Sequence, residues 1–190
     1  WEKICGKGRI LPAFPGAGGC IEGGILDAQL LPRAIQPTTF GEIGGRKSSR
    51  EEALAYIFRK SHIPYQIVPE MHHWQISHLG VIIPLADAYY QSRHPEKICA
   101  NEKLMTLTAY RMKKNLKWIA QKGMLCPAKL YMIKDMPTGM LARVLSRVYQ
   151  SEFGNRFLYR HAMHAPEEFQ RLHQEFYNYM KTHTKESNKA

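Results

Sequence analysis

The hydrophobic pattern of the chain is densest between residues 70 and 93. Apolar residues recur there at helical spacing, and from Leu79 onward they cover more than one face of a helix. The pattern therefore predicts a long helix that is buried on most sides. Pro84 lies inside this helix and lacks a backbone N–H, which predicts a bend about one turn before it.

Shorter apolar runs, separated by turn residues, precede this helix. They predict an antiparallel meander of three short strands, over residues 9–14, 24–31 and 37–43, and a fourth strand over residues 63–68. The glycine-rich run at residues 15–19 is predicted to be a tight loop with an exposed backbone. One helix interrupts the strands. It is predicted to begin after Ser48, because Ser48 and Glu51 have the spacing of a capping box, and to run to about residue 61.

Only helical periodicity follows the long helix. Amphipathic patterns predict four further helices, over residues 101–121, 138–152, 155–164 and 166–182. Gly123 is predicted to end the first of these, residues 124–133 to be irregular, and residues 183–190 to form a frayed tail. The predicted class is therefore α+β, with a small antiparallel β-rich lobe over residues 1–69 and an all-helical lobe over residues 70–182.

The composition narrows the class of protein. The chain has 190 residues, 44% of them hydrophobic, which is enough to bury a core. It has no run of about 18 uncharged apolar residues and no visible signal peptide, which predicts a cytoplasmic protein without a membrane span. The four cysteines are widely spaced and lack zinc-binding spacing, so we expect reduced thiols.

A net charge of +11 permits an anionic partner. The basic residues concentrate on the predicted helix over residues 101–121 and near the end of the chain. A solvated helix face is the simplest interpretation, and an anionic ligand or cofactor is the next. A nucleic acid ranks third, because the basic residues are not interleaved with the aromatic side chains on which bases stack.

Polar and titratable side chains gather at the start of the long helix. His72, His73, Ser77 and His78 lie there, at the positive end of the helix dipole, which favours a functional site. For any one histidine, a capping or surface role is the simpler interpretation. A shared metal ion is not predicted, because no two of these histidines have the spacing of four that would place both on one helix face.

A site between the two lobes is the general expectation for such an arrangement. It would place the glycine-rich run and the Glu70–His78 end of the long helix on facing walls of one cleft. Gly16 and Gly18 begin a dinucleotide-binding pattern, but its third glycine position is Ile21, so this signal is weak. A wide hairpin loop and a ligand-contacting loop therefore both stay open.

Four motifs follow one another along the chain: RILPAFPGAGG at residues 9–19, TTFGEIGG at 38–45, E-M-x-x-W-x-x-x-H at 70–78 and R-H-A-x-x-A-x-x-E-F at 160–169. In order and spacing they resemble the ketopantoate reductase (2-dehydropantoate 2-reductase) family, in particular its divergent members. The resemblance implies an NADPH-dependent oxidoreductase, as in pantothenate biosynthesis, that reduces a small 2-oxo acid or related ketone. It also implies that residues 1–69 end a Rossmann-like domain and that residues 70–182 form a helical substrate and dimerisation domain, so a homodimer is one expected assembly.

The resemblance further implies roles for individual residues. The cofactor would lie by Phe14, Gly16, Gly18 and Gly19. The substrate would lie by His73, Trp74, Ser77 and His161. His78 would be the proton donor to the developing alkoxide, with Glu70 helping to orient it.

The chain departs from the family pattern in three places. Ile76 and Gly80 stand where the family carries a catalytic lysine and an asparagine, and His78 is the nearest titratable replacement. The family's GxGxxG segment would lie upstream of Trp1, so we expect a fragment that is not a competent dehydrogenase by itself. The alternative is a non-catalytic descendant that binds a ligand or a partner.

Overall fold

The computed structural model describes residues 2–187 and confirms the α+β class. The helices are α1 (Glu2–Cys5), α2 (Ser49–Lys60), α3 (Met71–Gln91), α4 (Glu102–Gln121), α5 (Lys129–Asp135), α6 (Thr138–Gln150), α7 (Arg160–His164) and α8 (Pro166–Ser187). The strands are β1 (Ala13–Phe14), β2 (Ala17–Glu22), β3 (Ile25–Leu30), β4 (Thr38–Phe40) and β5 (Tyr65–Ile67). A 3₁₀ segment, Pro95–Ala100, precedes α4, and a π-helical turn, Gly154–Tyr159, precedes α7.

The chain divides into two compact units between Trp74 and Gln75, inside α3. The division lies a little beyond the predicted lobe boundary after residue 69, because the first turn of α3 packs with the β-rich unit. The N–H of Met71 donates to the carbonyl of Glu42, and the Trp74 ring lies against Phe14. None of the described helices is both long and apolar enough to cross a membrane.

The strands of the first unit do not form the predicted meander. Strands β1, β4 and β5 make one sheet in that order, with β1 antiparallel to β4 but β5 parallel to β4. Strands β2 and β3 form a separate antiparallel hairpin. The prediction of an antiparallel lobe was wrong at β5 because α2 lies between β4 and β5 and returns the chain to the same end of the sheet, which makes successive strands parallel.

The glycine-rich run was predicted to be a loop, but its second half belongs to strand β2. A Cβ on Gly19 would lie 2.1 Å from the carbonyl oxygen of Asp27 in β3. A Cβ on Gly16 would lie 2.3 Å from the backbone nitrogen of Thr38. These glycines are therefore needed for close approach of two backbones, and the loop prediction took them as a sign of an open turn.

The capping box of α2 is confirmed. The Ser48 hydroxyl accepts a hydrogen bond from the N–H of Glu51, and the Glu51 carboxylate accepts one from the N–H of Ser48. The other Glu51 oxygen accepts from the N–H of Glu42 at 3.0 Å, so the same side chain also holds the segment that follows β4. The two Ser48–Glu51 contacts satisfy backbone donors that the helix end would otherwise leave unpaired.

Helices α3, α4, α6 and α8 build the core of the second unit. Its largest fully buried side chains are Tyr89, Ile83, Met105, Met112, Leu116, Ile119 and Phe176. Pro84 lies inside α3 and cannot donate to the carbonyl of Gly80, one turn earlier. The Asn115 amide of α4 donates to that carbonyl at 3.3 Å, so a buried side chain replaces the missing backbone bond.

Two further predictions need correction. The stretch 124–133, predicted to be irregular, contains the start of α5, a helix too short for its periodicity to stand out in the sequence. The predicted frayed tail, 183–190, is helical as far as Ser187, and residues 188–190 lie outside the described residues. Helix α4 binds this end of α8: Trp118 donates to the Thr184 hydroxyl and Lys122 to the carbonyl of His183, both at 2.9 Å.

Candidate functional site

Glu70 was predicted to be near the chemistry, and its carboxylate is engaged with the backbone. One oxygen accepts from the N–H of Gly44 at 2.6 Å and the other from the N–H of His72 at 3.0 Å. Glu70 therefore caps the start of α3 and holds a glycine turn against it. This arrangement is that of a structural carboxylate, and the role of Glu70 in orienting His78 stays a prediction.

The predicted substrate residues His73 and Trp74 lie in the first turn of α3. Trp74 is buried, and its ring centroid lies 5.2 Å from that of Phe14, one of the predicted cofactor residues. His73 is half-buried, with its ring centroid 6.4 Å from that of His72. The structure thus brings Phe14 and Trp74 together, and the contact between their rings is one of packing.

The glycines predicted to bind NADPH do not fit a pyrophosphate. Gly18 and Gly19 pair with Gln29 and Ala28 in the β2–β3 ladder, and β2 leads into a hairpin turn and not into a helix. A pyrophosphate cradle uses successive backbone N–H groups at the N-terminus of a helix, which this segment lacks. We therefore assign no cofactor contact to these glycines.

Ser77 is fully buried in the second unit and has two hydrogen-bond partners there. Its hydroxyl donates to the carbonyl of Met124 at 3.1 Å and accepts from the N–H of Cys126 at 3.0 Å. These bonds hold the segment between α4 and α5 against α3. The Ser77 hydroxyl could contact a substrate, as predicted, only in addition to these two structural hydrogen bonds.

His78 and His161 are brought near each other, although they come from α3 and α7. Burial, and to a smaller extent the charge of nearby His161, lower the pKa of His78 from 6.5 to about 4. His161 is exposed, and its ring packs edge-on against Phe169 with centroids 5.1 Å apart. The structure thus brings the predicted proton donor and one predicted substrate residue near each other, and their roles stay predictions.

The lowered pKa changes the chemistry that His78 offers. At neutral pH its imidazole is uncharged, so the predicted imidazolium donor is not available there. A neutral imidazole has one N–H donor and one acceptor nitrogen. Such a ring can polarise a carbonyl oxygen by donating a hydrogen bond without transferring the proton.

The two positions where the family carries its lysine and asparagine face the protein interior. Ile76 is 7% exposed and belongs to the core of the second unit. A Cβ on Gly80 would lie 2.7 Å from the Ile119 side chain of α4. Polar side chains at these positions would have to displace packed apolar groups.

A large open cavity, of about 930 Å³, lies among α3, α4 and α8 of the second unit. Its lining includes Asp87, Arg111, Lys114, His173, Tyr177 and Lys181. The sequence analysis missed it, because its side chains come from three helices that are distant along the chain. One signal was available: Asp87 is the single charged residue between Leu79 and Tyr90, and a carboxylate in an apolar helix needs a partner.

No protein-family model, curated protein or solved structure matches the chain.

The His78 pKa predicts how stability depends on pH. Because the pKa is about 4 in the folded protein and 6.5 normally, neutral His78 stabilises the fold fully above pH 6.5. That contribution is lost as the pH falls from 6.5 to 4, and the difference between the two pKa values corresponds to a loss of up to about 3 kcal/mol in the free energy of unfolding. Urea unfolding at pH 7 and pH 4 should therefore show a smaller loss of stability in His78→Gln than in the unsubstituted protein.

The control for this measurement is His164→Gln, which changes an exposed histidine in α7. It should lose as much stability on acidification as the unsubstituted protein does. Equal losses in His78→Gln and His164→Gln would show that His78 titrates normally.

Proposed function

We propose that the chain is a cytoplasmic, ketopantoate reductase-like protein that binds a small 2-oxo acid or related ketone at His78 and His161. One observation carries the proposal. His78, the predicted proton donor, and His161, a predicted substrate residue, come from separate helices and lie close enough for their charges to interact. Helix packing, and not neighbourhood in the sequence, creates this pair.

The two histidines suit the two ends of a 2-oxo acid. Neutral His78 can hydrogen-bond the ketone oxygen and polarise the carbonyl, as neutral histidines do in other carbonyl chemistry. Exposed His161, when protonated, offers a positive charge to the carboxylate. Hydride from NADPH is the reducing step that the resemblance implies, but with no cradle at Gly16–Gly19 we assign no residue to the cofactor.

A second candidate is supported by the packing at Ile76 and Gly80. With these positions in the core, the chain lacks the proton donor and the amide that the family uses there. A descendant that binds the ligand without reducing it would tolerate their loss. The choice between the two candidates therefore depends on whether ligand binding is linked to NADPH.

Binding of a 2-oxo acid tests the proposal directly. Titration with pyruvate and with 2-oxoisovalerate, followed by NMR of the histidine rings, should show binding that weakens at least tenfold in His78→Gln and in His161→Gln. His164→Gln is the matched control, since His164 lies in the same short helix as His161 and hydrogen-bonds the carbonyl of Arg160. It should bind as the unsubstituted protein does.

The outcomes separate the two candidates. Binding of a 2-oxo acid that is strengthened by NADPH supports the reductase. Binding that is indifferent to NADPH supports the non-catalytic module. Absence of binding, or equal weakening in His164→Gln, contradicts a 2-oxo acid site at His78 and His161.

A further inference from the structure

The cavity among α3, α4 and α8 carries an excess of positive charge. Arg111 and Lys114 reach it from α4 and Lys181 from α8, whereas Asp87 is its single acidic lining residue. Convergent cations from two helices around a concave surface concentrate the field and attract anions. This placement differs from a solvated helix face, the simplest sequence interpretation of the same residues.

Asp87 hydrogen-bonds His173, and its one negative charge offsets at most one of the three cations. The Nδ1 of His173 lies 3.0 Å from both carboxylate oxygens, and the Asp87 side chain is only 14% exposed. Among the side chains that the structure describes (residues 2–19, 21 and 23–184), no carboxylate lies at ion-pair distance from Arg111, Lys114 or Lys181. Their charges are therefore available to a ligand.

An ordered aromatic wall stands beside the cations. The buried Asn115 amide contacts the Tyr177 hydroxyl at 3.3 Å, and the His173 ring packs on the Tyr177 ring with centroids 4.6 Å apart. Burial raises the pKa of Tyr177, so its hydroxyl stays protonated at neutral pH. Tyr110, which is 56% exposed, lines the same cavity and presents a second ring to it.

The size and the charges define a class of ligand. A volume of about 930 Å³ lies within the range of pockets that enclose small organic molecules. Three cations against the single carboxylate of Asp87 leave a net positive charge, which suits a dianionic phosphate better than a single carboxylate. Tyrosine rings offer stacking to a planar group, and base–aromatic stacking contributes measurably to nucleotide binding.

We propose that this cavity binds a phosphorylated ring compound of mononucleotide size, with its phosphate at Arg111, Lys114 and Lys181 and its ring against Tyr110 and Tyr177. The cavity lining includes neither His78 nor His161. The inference is therefore independent of the proposed 2-oxo acid site, and either can fail without the other.

Calorimetric titration with AMP, adenosine and inorganic phosphate tests both halves of the ligand. AMP should bind at least tenfold more tightly than either adenosine or inorganic phosphate. Its affinity should fall as salt increases, because the phosphate contacts are charge pairs. If AMP bound no more tightly than inorganic phosphate, the ring contact would be overturned. If AMP bound no more tightly than adenosine, the phosphate contact would be overturned.

Surface variants locate the site without disturbing the fold. Lys114→Gln and Lys181→Gln should each weaken AMP binding at least fivefold. Lys117→Gln is the matched control, since Lys117 is an exposed lysine of α4 that does not line the cavity, and it should leave AMP affinity unchanged. Equal weakening by Lys114→Gln and Lys117→Gln would overturn the site in favour of non-specific attraction to a basic helix.

A fourth variant isolates the ring contact. Tyr110→Ala removes an exposed side chain, so the fold should be retained. It should weaken AMP binding at least fivefold and leave the binding of inorganic phosphate unchanged. Unchanged AMP binding in this variant would overturn the assignment of the ring to this wall.

Discussion

Ile76→Lys is expected to destabilise the helical unit by about 5 kcal/mol at neutral pH. The position is 7% exposed and packed in the core, so the ammonium group would be desolvated without a partner. Burial lowers the pKa of a lysine by several units, and the free energy of unfolding at neutral pH falls in proportion to that shift. Urea unfolding at pH 7 measures the loss, which is a large share of the stability of an ordinary domain.

The pH dependence of this variant identifies the cause. A lysine with a lowered pKa in the folded protein destabilises it below the unfolded pKa, near 10.4, and the penalty shrinks as the pH rises toward that value. Ile76→Met keeps the volume and apolar character of the side chain. It should lower the free energy of unfolding by less than about 1.5 kcal/mol both at pH 7 and near pH 10. If Ile76→Lys were as stable as Ile76→Met, position 76 would be open to solvent.

The stability of Ile76→Lys also bears on the functional proposal. Position 76 is where the resemblance expects a lysine proton donor, and a donor must reach the substrate. If lysine were tolerated at position 76, the site would have kept the family's geometry and lost only the amine of the catalytic lysine. A strongly destabilising lysine would mean that the helix now packs this position away, which supports the non-catalytic candidate.

Gly154→Ala is expected to cost about 3 kcal/mol. A Cβ at this buried position would lie 2.0 Å from the carbonyl oxygen of Val148 and 3.0 Å from the Cα of Tyr149, and backbone atoms cannot rotate away as a side chain can. Overpacking of this kind shifts the backbone and costs a few kcal/mol. Because Gly154 begins the π-helical turn that leads into α7, the change should also displace His161.

Gly139→Ala is the matched control within the same unit. No atom lies within 4 Å of a Cβ built on Gly139, in the first turn of α6, so alanine should be neutral or stabilise by up to about 1 kcal/mol. Urea unfolding compares the two variants, and NMR of His78 reports whether its pKa moves back toward 6.5 in Gly154→Ala. Equal stability of both variants would show that the π-helical turn adapts freely.

The features predicted correctly from the sequence are those made by residues close together along the chain. The capping box needs only Ser48 and Glu51, three residues apart, and both hydrogen bonds are present. The long helix follows from an apolar period that extends over residues 70–93, and α3 spans most of it. Such patterns reflect local hydrogen bonding and the burial of one segment, which a single stretch of sequence encodes.

The features that the sequence analysis missed depend on which separate elements meet. The glycines of β2 looked like a loop because the backbone of Asp27, which they approach, lies in another strand. The Asp87–His173 pair joins α3 to α8, and the Asn115 amide reaches the carbonyl that Pro84 leaves unpaired. Asp27 faces Gly19 across the β2–β3 hairpin, and the other two contacts join separate helices, so the pattern within one element shows none of these partners.

The sequence by itself thus determined the α+β class, the capped helix α2 and a long buried helix, because local periodicity and capping chemistry decide them. Only the tertiary structure decided that His78 lies near His161 and is neutral, and that basic residues of α4 and α8 line one cavity. Burial and the approach of side chains from separate helices set those properties. They depend on how the helices pack, which the pattern within each helix does not encode.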